Sequence, residues 1–423
     1  MADEDKPRFK MYDHPAGGWG AAAATAKVLL QQSVVTKGSR ALLSMNQPGG
    51  FKCPSCAFPD ADCHKKLDFC ENGVKALAWE ATKARVTPEF FAQYTVTELA
   101  EQSDYWLEMQ GRLTDPMRYD AASDKYVPVS WEEAYATIGR HLRGLDSPHH
   151  AEFYTSGRTP NEAAFLYSIF VREFGTNNFP DCSNMCHEPT SRGLAPAIGV
   201  GKGTVIMEDF EHTEALFIIG QNTGTNSPRM MANLVEARKR GVPIIAVNPM
   251  PERALIQFAD PQDVVEMATF GSTEIASEFV HIKIGGDLAF LKGMMKVMFE
   301  REEAGETVLD HAFIAEHTVG LDIIRDEIVD LSWSDIVRVS GVAEEQIRRC
   351  ANIYIRSNAT MICYGMGLTQ QQRGSELIQQ VANILLLKGN FGNGSWYFAH
   401  SWPQQCARRP HRRNRRKAIR CLS

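Results

Sequence analysis

With 423 residues and 44% hydrophobic content, the chain can bury a large core and is too long for one ordinary domain. Its formal charge of −6 is unevenly spread: residues 403–423 hold seven Arg, one Lys and no acid, which leaves −14 on the remainder. No stretch reaches the ~20 apolar residues that span a bilayer, and Met1-Ala2-Asp3-Glu4-Asp5-Lys6-Pro7-Arg8 shows neither a secretory signal nor a twin-arginine pair, so the expected compartment is cytoplasmic.

Residues 1 to about 50 are Gly- and Ala-rich with weak periodicity, and are expected to wrap onto other parts of the protein rather than form a domain. A polar helical run is predicted from Thr87 to Gln110. Ser130, with Glu133 three residues on, is predicted to form a capping box opening a helix to about Leu145. Residues 151–155 read as a strand, followed by a turn into a helix ending near Phe174. Residues 215–219 form an apolar run broken by Gly220, hence a buried strand. A helix is predicted from about Pro228 to Arg240, then strands at 243–247, 280–284 and 360–364. This alternation argues for a parallel sheet covered on both faces, with ligands at the carboxyl ends of its strands. After Asn390-Phe391-Gly392 neither a helical nor a strand period remains.

Ten cysteines in a reducing compartment argue against a disulfide framework. Cys350 and Cys363 sit in apolar surroundings and read as buried structural thiols. Cys53, Cys56, Cys63 and Cys70 share one short window, a spacing in which thiolates can hold zinc or an iron–sulfur cluster. The most informative stretch is Asn177-Asn178-Phe179-Pro180-Asp181-Cys182-Ser183-Asn184-Met185-Cys186-His187-Glu188-Pro189-Thr190-Ser191-Arg192-Gly193-Leu194. It sets a soft thiol ligand directly before an imidazole that can move protons near neutral pH. His141, His149, His150, His281 and His311 show no ligand spacing with one another.

That stretch resembles the active-site segment of the molybdopterin oxidoreductases of formate-dehydrogenase type. The resemblance implies that Cys186 stands at the molybdenum-ligand position and that His187 takes up the proton; Cys182 reads as packing rather than ligation. It also implies a 4Fe–4S cluster for the cysteine window. The spacing there, with Phe69-Cys70-Glu71-Asn72-Gly73, is similar to the YdeP-type branch of the family and implicates Cys53, Cys56 and Cys70, with Cys63 left open. Where many relatives have a Lys bridging cluster and pterin, this chain has Asn72, so Lys75 is the nearby substitute.

The turn Gly220-Gln221-Asn222-Thr223-Gly224-Thr225-Asn226-Ser227-Pro228 links a predicted strand to a helix, and such a turn can offer free N–H groups to phosphate. By resemblance, Gly220, Asn222 and Asn226 touch a molybdopterin guanine dinucleotide. Asn248, Pro249, Gly285, Asp287, Gly365, Met366, Gly367 and Gln370 occupy the family's other places around it. Asp287 also reads as a helix N-cap. Asn and Met in the Asn248-Pro249-Met250 segment depart from the Asp and Arg common in the family.

The resemblance runs from about Gly50 to Gly392 and implies an α/β, multi-domain molybdopterin-oxidoreductase fold (formate dehydrogenase/DMSO reductase type, domains 1–3) with a Rossmann-like parallel sheet. Expected boundaries are 1–111 for an iron–sulfur region, 112–181 for the first part of a pterin-binding α/β domain, 182–392 for the dinucleotide domain and 393–423 for an aberrant basic tail. The tail is expected to be an out-of-frame reading of the family's next segment, since its arginines lack the aromatic interleaving of a nucleic-acid platform. The implied activity is two-electron redox on a small-molecule substrate at Mo-bis(molybdopterin guanine dinucleotide). Electrons would pass through the cluster to a partner protein, with no nucleic acid and no membrane span involved. A non-catalytic iron–sulfur scaffold with the same fold and a zinc-stabilised binding protein are the competing readings.

Overall fold

A strand buried at every position must be covered on both faces, and three strands among the described residues are of that kind. The structure, a computed structural model, describes residues 13–56, 58–59, 67–157 and 159–391 and the backbone of 396–399. The chain divides into two compact units, one comprising 1–14, 23–55 and 71–181, the other 15–22, 56–70 and 182–423.

The first unit is mainly helical, with small two-stranded ladders. The run predicted as one helix from Thr87 to Gln110 is three: Pro88–Gln93, Val96–Ala100 and Asp104–Met109. Thr95 and Ser103 break it, because each side chain accepts a hydrogen bond from a later N–H and restarts the helix as an N-cap. Helix α1 (Trp131–Arg143) opens on Ser130, whose Oγ accepts from Glu133 N at 3.1 Å. Only half of the predicted capping box forms there, since the Glu133 carboxylate turns to Arg118 at 3.2 Å. Helix α2 (Asn161–Phe174) ends at Gly175 in the left-handed region.

Residues 151–155 are not a strand, contrary to the sequence reading. Phe153 and Thr155 donate to Asn178 O and Pro180 O, and a single bridge joins Thr155 to Asp181. Pro180 has no N–H to return, which stops the ladder.

In the second unit, β1 (Ala215–Ile219), β2 (Ile244–Asn248), β3 (Glu278–His281), β4 (Thr360–Tyr364) and β5 (Trp396–Ala399) form a parallel sheet in the order β3-β2-β1-β4-β5. Every residue of β1, β2 and β4 is buried. Alternate positions feed two cores. Phe217, Ile219, Ile245, Val247, Ile362 and Tyr364 pack with α6 (Asp287–Glu303), α7 (Glu344–Arg356) and α8 (Gly374–Leu386). Leu216, Ile218, Ile244, Ala246, Met361 and Cys363 face α5 (Met230–Lys239), together with Phe58 and Phe210.

Strand β3 ends sooner than the predicted 280–284, because Lys283 N donates to Ser340 O and leaves the ladder. Strand β5 was not expected; its backbone pairs parallel with β4. The weakly periodic N-terminal region holds two helices, Gly18–Gln31 and Val35–Leu42, the first carried by its alanines. Of the expected aberrant tail, 393–423, only the backbone of 396–399 is among the described residues. Among the described residues no helix is long and apolar enough to cross a membrane.

Candidate functional site

The chain runs outward from β1 through β2 to β3, then returns to the other flank of β1 as β4. Loops leaving β1 and β4 therefore part in opposite directions, and open α/β sheets take their ligands in the crevice this creates. Gly220 N donates to Val247 O at 2.9 Å, Gly365 N to Ile219 O at 3.1 Å, and Gly367 N to Gly220 O at 3.0 Å. A Cβ on Gly220 (φ +60°) would sit 2.8 Å from Gly367 Cα, and one on Gly367 only 2.6 Å from Gly220 Cα. These glycines serve first to let the two loops touch, backbone on backbone.

The other candidates line the same strand ends. Asn222 caps the single turn Thr223–Asn226, its Oδ1 accepting from Thr225 N at 3.2 Å, while Asn226 is exposed. Asn248 is buried and donates to Gln221 O at 3.2 Å; Pro249 is exposed. Past β3, exposed Gly285 (φ +84°) leads to buried Asp287 at the head of α6. Burial pushes the Asp287 carboxyl above the usual range, against a hydrogen bond from Gln371 Nε2 at 2.7 Å that lowers it. Gln371 Nε2 also donates to Gly367 O, so one amide ties the loop after β3 to the loop after β4.

The Cys186 stretch reaches this point through α3 (Cys182–Cys186) and α4 (Glu188–Ile198). Gly193 lets α4 press onto α8, where a Cβ would lie 2.6 Å from Ser375 O. Tyr364 OH, at the end of β4, donates to Thr190 Oγ1 at 3.2 Å. Thr369 Oγ1 donates to Cys186 O at 2.6 Å, and Gln370 Nε2 to Met185 O at 3.3 Å. Cys186 is thus held beside the β4 loop, half-buried rather than sealed in apolar packing. His187 is 6% exposed, and burial pushes its imidazole down to about 4, so it is neutral at pH 7. Its Nδ1 is buried without a hydrogen-bond partner.

Contacts therefore join Cys186, Gln370, Gly367, Gly365, Gly220 and Asp287 at one end of the sheet. Thr369, Gln371 and the Thr190–Tyr364 pair were not singled out from the sequence. Their partners lie 84 to 183 residues away, and no local spacing signals them. The cysteine window is different. Cys53 and Cys70 are half-buried, and Cys56 is buried beside Phe58 in the apolar core. Among the described residues no three His, Cys, Asp or Glu are grouped to hold a metal, and Cys63 lies outside the described residues. Lys75 is occupied by an ion pair with Glu71.

A family model described as molybdopterin oxidoreductase matches residues 112–411. The chain belongs to the molybdopterin oxidoreductase family. Protein YdeP of Escherichia coli (strain K12) is 49% identical over 392 residues, 92% of this chain and 52% of YdeP. An uncharacterized oxidoreductase of Mycobacterium bovis is 47% identical over 365 residues, 86% of this chain and 47% of its own length. Formate dehydrogenase H of Escherichia coli (strain K12) is more distant, 27% identical over 286 residues, 66% of this chain and 37% of its own. Acetylene hydratase from Pelobacter acetylenicus shares the fold, with a TM-score of 0.58 at 17% identity over 78% of this chain and 39% of that one. The chain spans about half the length of YdeP and of the Mycobacterium bovis oxidoreductase.

Membership in the molybdopterin oxidoreductases implies a molybdenum–pterin cofactor. The residues present fit one: a half-exposed soft thiol, an adjoining buried imidazole with an unpartnered nitrogen, and a crevice at the strand ends.

Proposed function

We propose that this molybdopterin oxidoreductase carries formate-dehydrogenase-like chemistry, with Cys186 as the molybdenum ligand and the loops after β1 to β4 holding a guanine dinucleotide form of the cofactor. When bound, the cofactor supplies the two-electron redox step. Thr369 and Gln370 fix the backbone from which the Cys186 thiol projects. His187, neutral and buried, offers Nδ1 as an open hydrogen-bonding and proton-accepting atom. Asn222, Asn226, Asn248, Pro249, Gly285 and Asp287 supply the polar and backbone groups at the strand ends, with Gly220, Gly365, Met366, Gly367 and Gln370 between them. Cys53, Cys56, Cys63 and Cys70 are proposed on their spacing to take a 4Fe–4S cluster serving an electron-transfer partner. Residues 182–392 are proposed as the dinucleotide domain.

The observation that supports this reading is the hydrogen bond from Thr369 Oγ1 to the Cys186 carbonyl, which ties the Cys186 segment to the loop leaving β4. The full chain, purified without oxygen, is expected to contain molybdenum, pterin and iron and to reduce a viologen dye with formate. A chain with iron but no molybdenum would point to an electron-transfer scaffold instead. One binding only zinc would refute both readings.

A further inference from the structure

The helical unit holds a cavity of about 500 Å³ that shares no residue with the strand-end site. Its wall includes Gln32, Trp79 and Glu80 at the end of helix Glu71–Glu80, Asp104 and Glu108 on helix Asp104–Met109, and Arg112. Its size is that of a small-molecule site. Two donors on this wall lack good acceptors. Trp79 Nε1 is buried without a hydrogen-bond partner. Gln32 is 4% exposed, and its Nε2 reaches only Met109 Sδ, a weak acceptor, at 3.4 Å. Leaving a buried donor unpaired costs more than an ordinary hydrogen bond gains. Charge on the wall is also unbalanced. Three carboxylates accompany one guanidinium, and Arg112 already pairs with Glu80 at 2.8 Å. Asp104 and Glu108 stand one turn apart on the same helix face and carry no ion pair among the described residues. Glu108 sits in the last turn, at the negative end of its helix, so the helix itself gains nothing from that charge.

We propose that this cavity binds a small hydroxylated amine, of the class of amino alcohols and amino sugars. The ligand's ammonium donates to Asp104 and Glu108, and its hydroxyl oxygens accept from Trp79 Nε1 and Gln32 Nε2. Other ligand classes each leave part of the wall unsatisfied. A diamine has no acceptor for the two N–H groups. A neutral sugar leaves the neighbouring negative charges uncompensated, and a carboxylate or phosphate is repelled by them. Water satisfies the indole N–H but brings no charge. The buried donors supply the selectivity for hydroxyl oxygen. Asp104 and Glu108 are exposed, so solvent weakens their attraction and the charge preference is the smaller of the two effects. The site owes nothing to Cys186 or to the cofactor proposed above, and its test stands apart from theirs.

The test uses the full chain in phosphate buffer, because Tris is itself an amino alcohol. Calorimetric titrations with D-glucosamine, D-glucose and putrescine are compared. In parallel, the Trp79 indole resonance of a chain with nitrogen-labelled tryptophan, identified by its loss in Trp79→Phe, is followed on adding glucosamine. Glucosamine is expected to bind saturably and to move that resonance, as a new acceptor on Nε1 would. It is expected to bind at least about fivefold tighter than putrescine and about threefold tighter than glucose. Trp79→Phe, which keeps the ring and loses the N–H, should weaken glucosamine binding at least about fivefold. The double variant Asp104→Asn/Glu108→Gln should remove the preference for glucosamine over glucose. If Trp79→Phe fails to fold, the double variant decides, since both its positions are exposed. No saturable binding of glucosamine would overturn the proposal and leave a cavity filled by water alone. So would putrescine or glucose binding as tightly as glucosamine, or wild-type affinity and preference in the variants.

Discussion

In the sheet unit all five residues of β1, β2 and β4 are buried and sorted into two cores, whereas α1 and α2 of the other unit leave a row of large apolar side chains in solvent. Trp131, Tyr135 and Ile138 on α1 are 58%, 65% and 56% exposed; Phe165 and Leu166 on α2 are 64% and 65%. The sheet unit is thus held by close packing, which stiffens the strand ends that carry the candidate site. Around α1 and α2 fewer side chains are sealed: α1 opens on its Ser130 cap, and α2 sets Tyr167, Phe170 and Phe174 around Phe153. Substitutions in the two regions should differ accordingly.

Phe217→Ala, in the middle of β1 against Tyr354, is expected to cost about 3–5 kcal/mol in a denaturant titration. A cost below ~1 kcal/mol would break the contrast. Tyr354→Phe removes the hydroxyl that donates to Ile384 O at 2.6 Å and accepts from Asn390 Nδ2 at 3.0 Å, leaving buried groups unpaired. A loss of about 1–3 kcal/mol is expected by the same titration. Asp287→Asn should act in the opposite direction. Burial raises the folded-state pKa of Asp287 above its unfolded value, so its contribution is fully present below the unfolded pKa and is lost as pH rises through the folded one. The variant is therefore expected to be the more stable at pH 7, with the two unfolding curves converging near pH 3; a loss of stability at pH 7 would reverse the sign. Phe165→Ser, on the exposed row, should change stability by no more than about 0.5 kcal/mol.

The same contrast explains what could be read in advance. Strands β1, β2 and β4 were legible because a run of apolar residues ending in Gly or Asn-Pro has few other uses in an α/β chain. The Cys186 stretch was legible as a motif, and the glycine turns as turns. What escaped depends on partners far away in sequence: Thr369 on Cys186, Gln371 on Asp287, and Arg229 on Asp68, 161 residues back. The failed strand at 151–155 belongs with these, since its ladder was stopped by a proline on another segment. Splitting of the 87–110 run, by contrast, was available locally in Thr95 and Ser103, whose capping role outweighs helical periodicity.

X-ray absorption at the molybdenum edge, comparing wild-type chain with Cys186→Ser, tests the placement of the metal most directly. The account predicts a protein-derived sulfur ligand in the wild type that is replaced by oxygen in the variant. Alongside it, dye reduction should fall beyond the 10–100-fold typical of outer-shell changes. Molybdenum whose sulfur coordination is the same in both proteins, or no molybdenum in the wild type, would contradict it.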